Sequence, residues 1–211
     1  GNISAEGLMD VALKANALGT NSYTEVIIAL PGETLETYRR TLETVVDAGF
    51  LTVQIYQLML LPGTEMATRE SRARYGMRTR FRVLPRCYGC YDFDGRELNA
   101  AEIEEICIAT NTFSYADYLE ACRLRFFVST FYDNGVFVGV TKLLKLLGLS
   151  VFEWLRDLAD HPYEGAVEHL LTELMREVES ELWGDREALR AHLRDRSTLQ
   201  RYLSGELGSN L

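Results

Sequence analysis

The sequence predicts an α/β fold over residues 1–95 followed by an all-α part over residues 96–211, predominantly helical overall. Two observations carry this. Residues 5–58 run helix, strand, helix, strand with short links, the order of βα crossover units and a parallel sheet. Beyond about residue 99, apolar residues recur at helical spacing between Gly and Pro breaks, and no convincing strand follows.

Each element has its own signal. In residues 5–18 the apolar positions Leu8, Val11, Ala12, Ala15 and Leu18 lie three or four apart, on one helix face. Ser4 suits its start and Gly19 its stop. Residues 24–30 are mostly apolar and read as a strand buried on both faces. Residues 34–48 predict a helix with Thr34 as N-cap, Glu36 in the first turn and Gly49 at the end. Residues 51–58 predict a second strand. Two strands do not make a stable sheet, and residues 78–93 offer at most one edge strand more. Helices are then expected over 100–112, 114–133, 136–147, 150–160, 163–182 and 185–195, with a short one near 197–204. Ser150, Asp185 and Ser197 are the expected caps.

Composition sets the class. The chain is 47% hydrophobic and 25% charged, ordinary for a soluble globular protein. It contains no run of about 18 apolar residues, so no membrane span is expected. Its four cysteines are spaced irregularly, unlike a secreted disulfide framework, and point to a reducing cytoplasm. The start, Gly1-Asn2-Ile3-Ser4, has neither an initiating Met nor a signal-peptide pattern, and reads as a processing site or a cut. A net charge of −9 argues against non-specific nucleic-acid binding. Between Arg69 and Arg86, however, seven Arg face one acid, Glu70, so this strip carries +6 and the rest −15. The strip suits either an anionic partner or ion pairs with the chain's own acids.

The first strand runs into Leu30-Pro31-Gly32-Glu33-Thr34 and the second into Leu61-Pro62-Gly63-Thr64-Glu65. Ligands of parallel α/β folds bind at the carboxyl ends of strands, where such loops sit. Pro31 stiffens the strand exit and Gly32 permits a positive φ. A plain tight connector would read the same way, and the spacing is not that of a P-loop.

TEVIIALPGETLETY followed by YQLMLLPGTEMA resembles the C-terminal half of a radical S-adenosylmethionine barrel, closest to the cobalamin-binding-domain group. GMRTRFRVLPRCYGCYDFDG is also similar to that group. The resemblance covers residues 2 to about 95, and departs from the family at Ala29, where Gly is usual. It implies a partial βα barrel made of the last βα units. It also implies that the first strands, the Cys-x3-Cys-x2-Cys cluster loop and any cobalamin domain lie upstream, so that this piece alone is inactive. A parent enzyme would use S-adenosylmethionine and a 4Fe-4S cluster, with cobalamin left open as a further cofactor. It would cleave S-adenosylmethionine reductively and abstract hydrogen from a substrate with the resulting radical. By position, Glu25, Ile27, Ala29 and Leu30 would lie near the cofactor at one strand, and Tyr56, Gln57 and Leu58 near its adenine at the next. Pro31, Gly32, Glu33, Thr34, Pro62, Gly63 and Thr64 would form the rim loops. Read from the residues alone, Glu25 is equally a paired strand-start acid and Tyr56 a core aromatic.

Three other features stand out. Cys87 and Cys90 form a Cys-x-x-Cys, either half of a metal or redox site or a pair of reduced thiols. His161, His169 and His192 lack metal-site spacing. The aromatic stretch 123–137 is either a groove lining or core. A different class of reading is a non-catalytic α/β plus helical interaction module. Open sheet edges left by a truncated barrel would favour homodimers.

Overall fold

The computed structural model describes residues 5–18, 20 and 22–208. Ser4 and Gly19, expected to bound the first helix, lie outside the described residues. The elements are α1 (Ala5–Ala17), β1 (Tyr23–Ile28), α2 (Leu35–Ala48), β2 (Thr52–Gln57), α3 (Arg69–Tyr75), β3 (Arg78–Phe93), β4 (Arg96–Ala109), α4 (Tyr115–Val128), α5 (Val138–Leu146), α6 (Val151–Asp160), α7 (Gly165–Ser180), α8 (Arg186–His192) and α9 (Arg196–Leu203). The protein is mixed α/β with helix predominating. It divides into two compact units. One holds the chain up to Gln57 with Thr112–Pro162; the other holds Leu58–Asn111 with the chain from Tyr163 on. The helices expected after residue 96 are thus shared between the two units.

In the first unit, β1 and β2 pair in parallel from Tyr23 opposite Thr52 to Ile28 opposite Gln57. Only one face is covered. Val26, Ile28, Val53 and Ile55 are buried, while Tyr23, Glu25, Gln54 and Tyr56 are exposed on the other side. The expectation of a strand buried on both faces is therefore corrected. The strands alternate, and no layer covers the second face among the described residues. Helix α2 starts as its sequence dictates. Thr34 Oγ1 accepts the Thr37 amide at 3.2 Å while Thr37 Oγ1 accepts the Thr34 amide at 2.8 Å, and Gly49 ends the helix at φ 88°. Tyr38, Leu42 and Val46 of α2, Leu124 and Phe127 of α4, and Phe152 and Leu155 of α6 form its core. A second cap closes this unit over a long stretch of chain. Asp47 Oδ1 accepts the Val151 and Phe152 amides at 2.9 and 3.1 Å, and Oδ2 accepts the Ser150 hydroxyl at 2.5 Å, at the start of α6. The aromatic stretch is core in part: Leu124, Phe127 and Val128 are buried, whereas Phe126, Phe131 and Phe137 are half-buried. Phe127 stacks on Phe131, which meets Phe137 at 4.8 Å and Trp154 at 6.2 Å between ring centres.

The second unit is built on a long antiparallel hairpin, β3 with β4. The helix expected at 100–112 is instead most of strand β4. Glu and Ala raise helix propensity there, but Ile103, Ile106 and Ile108 suit a strand, and the pairing with β3 decides. Arg82 lies opposite Glu104 in the register and binds it. On its other side, β4 takes up residues 58–60: the Leu60 amide donates to the Glu105 carbonyl at 2.8 Å and the Cys107 amide to Leu58 at 2.9 Å. The turn is Asp94-Gly95, with φ 52° and 71°, the two positive values of a type I′ hairpin. Helices α8 and α9 lay Leu189, Leu193 and Tyr202 against Val83, Tyr88 and Ile103 of the hairpin. Asp195, not Ser197, caps α9, accepting the Ser197 amide at 3.2 Å.

Candidate functional site

The two Pro-Gly loops share one geometry. The Glu33 amide donates to the Leu30 carbonyl at 3.0 Å, and the Thr64 amide to Leu61 at 3.2 Å. In both, Pro precedes a Gly at φ 85°. These are turns with Pro at the second position and a left-handed Gly at the third, the type II signature. Gly32 and Gly63 have open space where a side chain would stand, so the backbone angle alone demands glycine. The first loop lies in the first unit and the second loop in the second.

Above the open face of β1 and β2, Glu25 and Ile27 stand beside Gln54 and Tyr56, paired in register. Glu25 and Tyr56 are exposed and Ile27 half-buried. Gln57 points to the opposite, covered face. It is 8% exposed, and its Nε2 lies 3.9 Å from the Cys122 sulfur while its Oε1 is buried without a partner. Of the residues placed near a cofactor, Glu25, Ile27 and Tyr56 thus come together, and Gln57 does not join them. Leu58 is buried in the second unit. Ala29 is fully buried with φ 66°, the left-handed conformation a glycine adopts freely. Leu30 is half-buried beside it.

Glu33 is the most perturbed group of the first loop. Burial raises its carboxyl to about 7, and the Leu30 amide pulls it back only in part. Its Oε2 is buried without a hydrogen-bond partner. Its main-chain carbonyl accepts the Thr112 hydroxyl at 2.7 Å, which ties the loop to the segment before α4. Tyr38, fully buried against Phe113, also has an unpartnered hydroxyl; burial, then the charges of Cys122 and Glu33, hold it well above its ordinary range against the opposing charge of Arg125. Three buried oxygens without partners therefore collect around the end of β2 and the start of α2. None was legible from residue type, because segments distant in sequence, such as Thr112, Phe113 and Cys122, pack around them.

The second loop borders a cleft of about 380 Å³ in the second unit, with Pro62, Gly63 and Thr64 on one side and Arg72 and Glu105 on the other. Arg72 binds Glu105 through both nitrogens, at 2.5 and 2.9 Å, and the Thr79 hydroxyl donates at 2.6 Å. This pairing holds the Glu105 carboxyl below its ordinary range. With Arg82 on Glu104, it turns part of the cationic strip inward onto the acids of β4. Cys87, Cys90, Cys107 and Cys122 are free thiols. Among the described residues no group of three or more His, Cys, Asp or Glu could hold a metal ion.

No family model matches the chain. Over 121 residues it is 28% identical to TokK, a cobalamin-dependent radical SAM methyltransferase of Streptomyces tokunonensis. The match takes in 57% of this chain but 17% of the relative. The similarity relates the chain loosely to radical S-adenosylmethionine enzymes. No helix among the described residues is long and apolar enough to cross a membrane.

Proposed function

We propose that this chain is a C-terminal part of a radical S-adenosylmethionine enzyme, of the cobalamin-dependent methyltransferase kind, with β1 and β2 as the last strands of its barrel. The observation that carries the reading is the uncovered face of this parallel pair, bearing Glu25, Ile27 and Tyr56 next to the Pro31-Gly32 turn. A barrel needs such a face toward its interior, and the similarity to TokK agrees with it.

The residues suit a nucleoside-bearing cation. Glu25 offers a carboxylate to hydroxyl or ammonium donors, Tyr56 a ring face for stacking, and Ile27 apolar surface between them. S-adenosylmethionine, when bound, supplies the adenosyl group for radical chemistry and a methyl group for transfer. Glu25 orients the ligand, Tyr56 and Ile27 exclude water from it, and Leu30 with Glu33 fixes the adjoining loop. The described residues contain no ligand set for an iron–sulfur cluster. The chain alone is then a cofactor-binding wall without turnover, and the substrate is set elsewhere in the parent.

Equilibrium dialysis of S-adenosylmethionine against the chain tests the reading. Saturable binding weakened about tenfold by Glu25→Ala and by Tyr56→Ala supports it. Binding unchanged in both variants removes Glu25 and Tyr56 from the site. A second reading, an interaction module, rests on the exposed Leu143, Leu146, Leu147 and Leu149 of α5 and its end.

A further inference from the structure

We propose that the cleft between α8 and β4, in the second unit, binds a small metabolite through a diphosphate group. The inference uses the second unit alone and stands apart from the reading above.

The cleft has a volume of about 360 Å³, within the range of small-ligand pockets. Two rows of side chains run along α8 and the turn that follows it, where Leu193 and Arg194 lie. Leu189 and Leu193 are buried and pack on the hairpin, where Ala101 and Ile103 lie. Beside them Arg186, Arg190 and Arg194, four residues apart, line the cleft. Residues four apart on a helix are neighbours on its surface. The buried leucines therefore fix Arg186 and Arg190 over β4, and Arg194, in the turn after the helix, lines the same cleft.

Their charge is compensated only in part: Arg186 acts on the Glu105 carboxylate, which already binds Arg72. Arg190 pairs with Glu187 at 2.8 Å, with both side chains largely exposed. Arg186 and Arg194 form no ion pair among the described residues. Like charges at this spacing repel, so the arrangement favours an anion that bridges them. A guanidinium offers a planar fork that matches phosphate oxygens two at a time, and adjacent forks match adjacent phosphates. On a chain of net charge −9 this is a local exception.

The opposite wall limits the ligand. Asn99 and Glu102 of β4 line it. The Glu102 carboxylate repels a long polyanion such as a nucleic-acid backbone and accepts from hydroxyl or amino donors. A diphosphate ester of a small polar molecule satisfies both walls.

The test is titration of the full chain with inorganic pyrophosphate at fixed ionic strength, followed by calorimetry and by amide NMR shifts. The expected result is saturable binding, about tenfold tighter than orthophosphate or sulfate, with shifts confined to residues 99–103 and 186–194. Arg190→Gln with Arg194→Gln then weakens it at least about tenfold at an unchanged circular dichroism spectrum. Arg69→Gln with Arg78→Gln, in the other cationic strip, leaves it unchanged. Lack of saturation, equal affinity for sulfate, or shifts centred on residues 69–86 overturns the proposal. Should the α8 variant lose its fold, the shift map of the unaltered chain decides.

Discussion

Arg82 and Glu104 face each other across the β3–β4 ladder, Nε 2.5 Å from Oε1, and both residues are less than a tenth exposed. A charge pair so deeply buried holds the register of the hairpin, because a slip would bury each charge alone. Removing Arg82 leaves the Glu104 carboxylate uncompensated, whereas removing Glu104 leaves Arg82 still beside the charge of Glu181. Arg82→Met should cost about 3–5 kcal/mol and Glu104→Gln less, and the double change to Met and Leu should cost less than Arg82→Met alone. Urea unfolding of the two single variants and the double variant measures this as a double-mutant cycle.

Ala29 carries a conformation that its side chain disfavours. Its left-handed φ costs about 1–2 kcal/mol relative to glycine, while its buried methyl contributes about 0.8 kcal/mol. Ala29→Gly should therefore leave stability within about 1 kcal/mol of the original. Ala29→Val should destabilise by about 3 kcal/mol, adding overpacking to a strained branched residue. Thermal unfolding of the pair separates backbone strain from packing.

Glu33 makes stability depend on pH. Its folded pKa of about 7 lies above the ordinary carboxylate value of 4.5, so the folded chain holds a proton that the unfolded chain has released between these values. Stability from this group is full below about pH 4.5, falls as pH rises toward 7, and levels off above it. The side chain is half-exposed, so solvent screening reduces the loss to about 1–2 kcal/mol. Glu33→Gln should remove that part of the slope and stabilise the chain at pH 8 but not at pH 4.5. Asp133, raised to about 6 by burial, adds a similar slope that the variant retains. Unfolding free energies at the two pH values, compared between the two chains, measure the Glu33 share.

Asp47 closes α6 from the far end of α2. It accepts two amides and a hydroxyl at once, so Asp47→Ala should cost about 1–2 kcal/mol, and Asp47→Asn about half of that. Chemical denaturation of both variants checks the order.

Legibility followed range. Helix α2 was readable to its caps, because Thr34, Thr37 and Gly49 act on their own neighbours. The Pro31-Gly32 and Pro62-Gly63 turns were readable for the same reason. Strand β4 was not. Its Glu and Ala favour a helix locally, and the pairing that decides lies across the hairpin at Arg82. Asp94-Gly95 was the local clue, a two-residue hairpin turn in plain sequence. The unpartnered oxygens of Glu33, Tyr38 and Gln57 were invisible, since only the packing of distant segments buries them.

The most direct test of the central claim is to read the coding sequence upstream of Gly1. The account predicts an open frame that encodes further βα units and a Cys-x3-Cys-x2-Cys motif, the ligand set of the cluster that S-adenosylmethionine cleavage needs. A translation start close to Gly1, or an upstream frame without that motif, would contradict it.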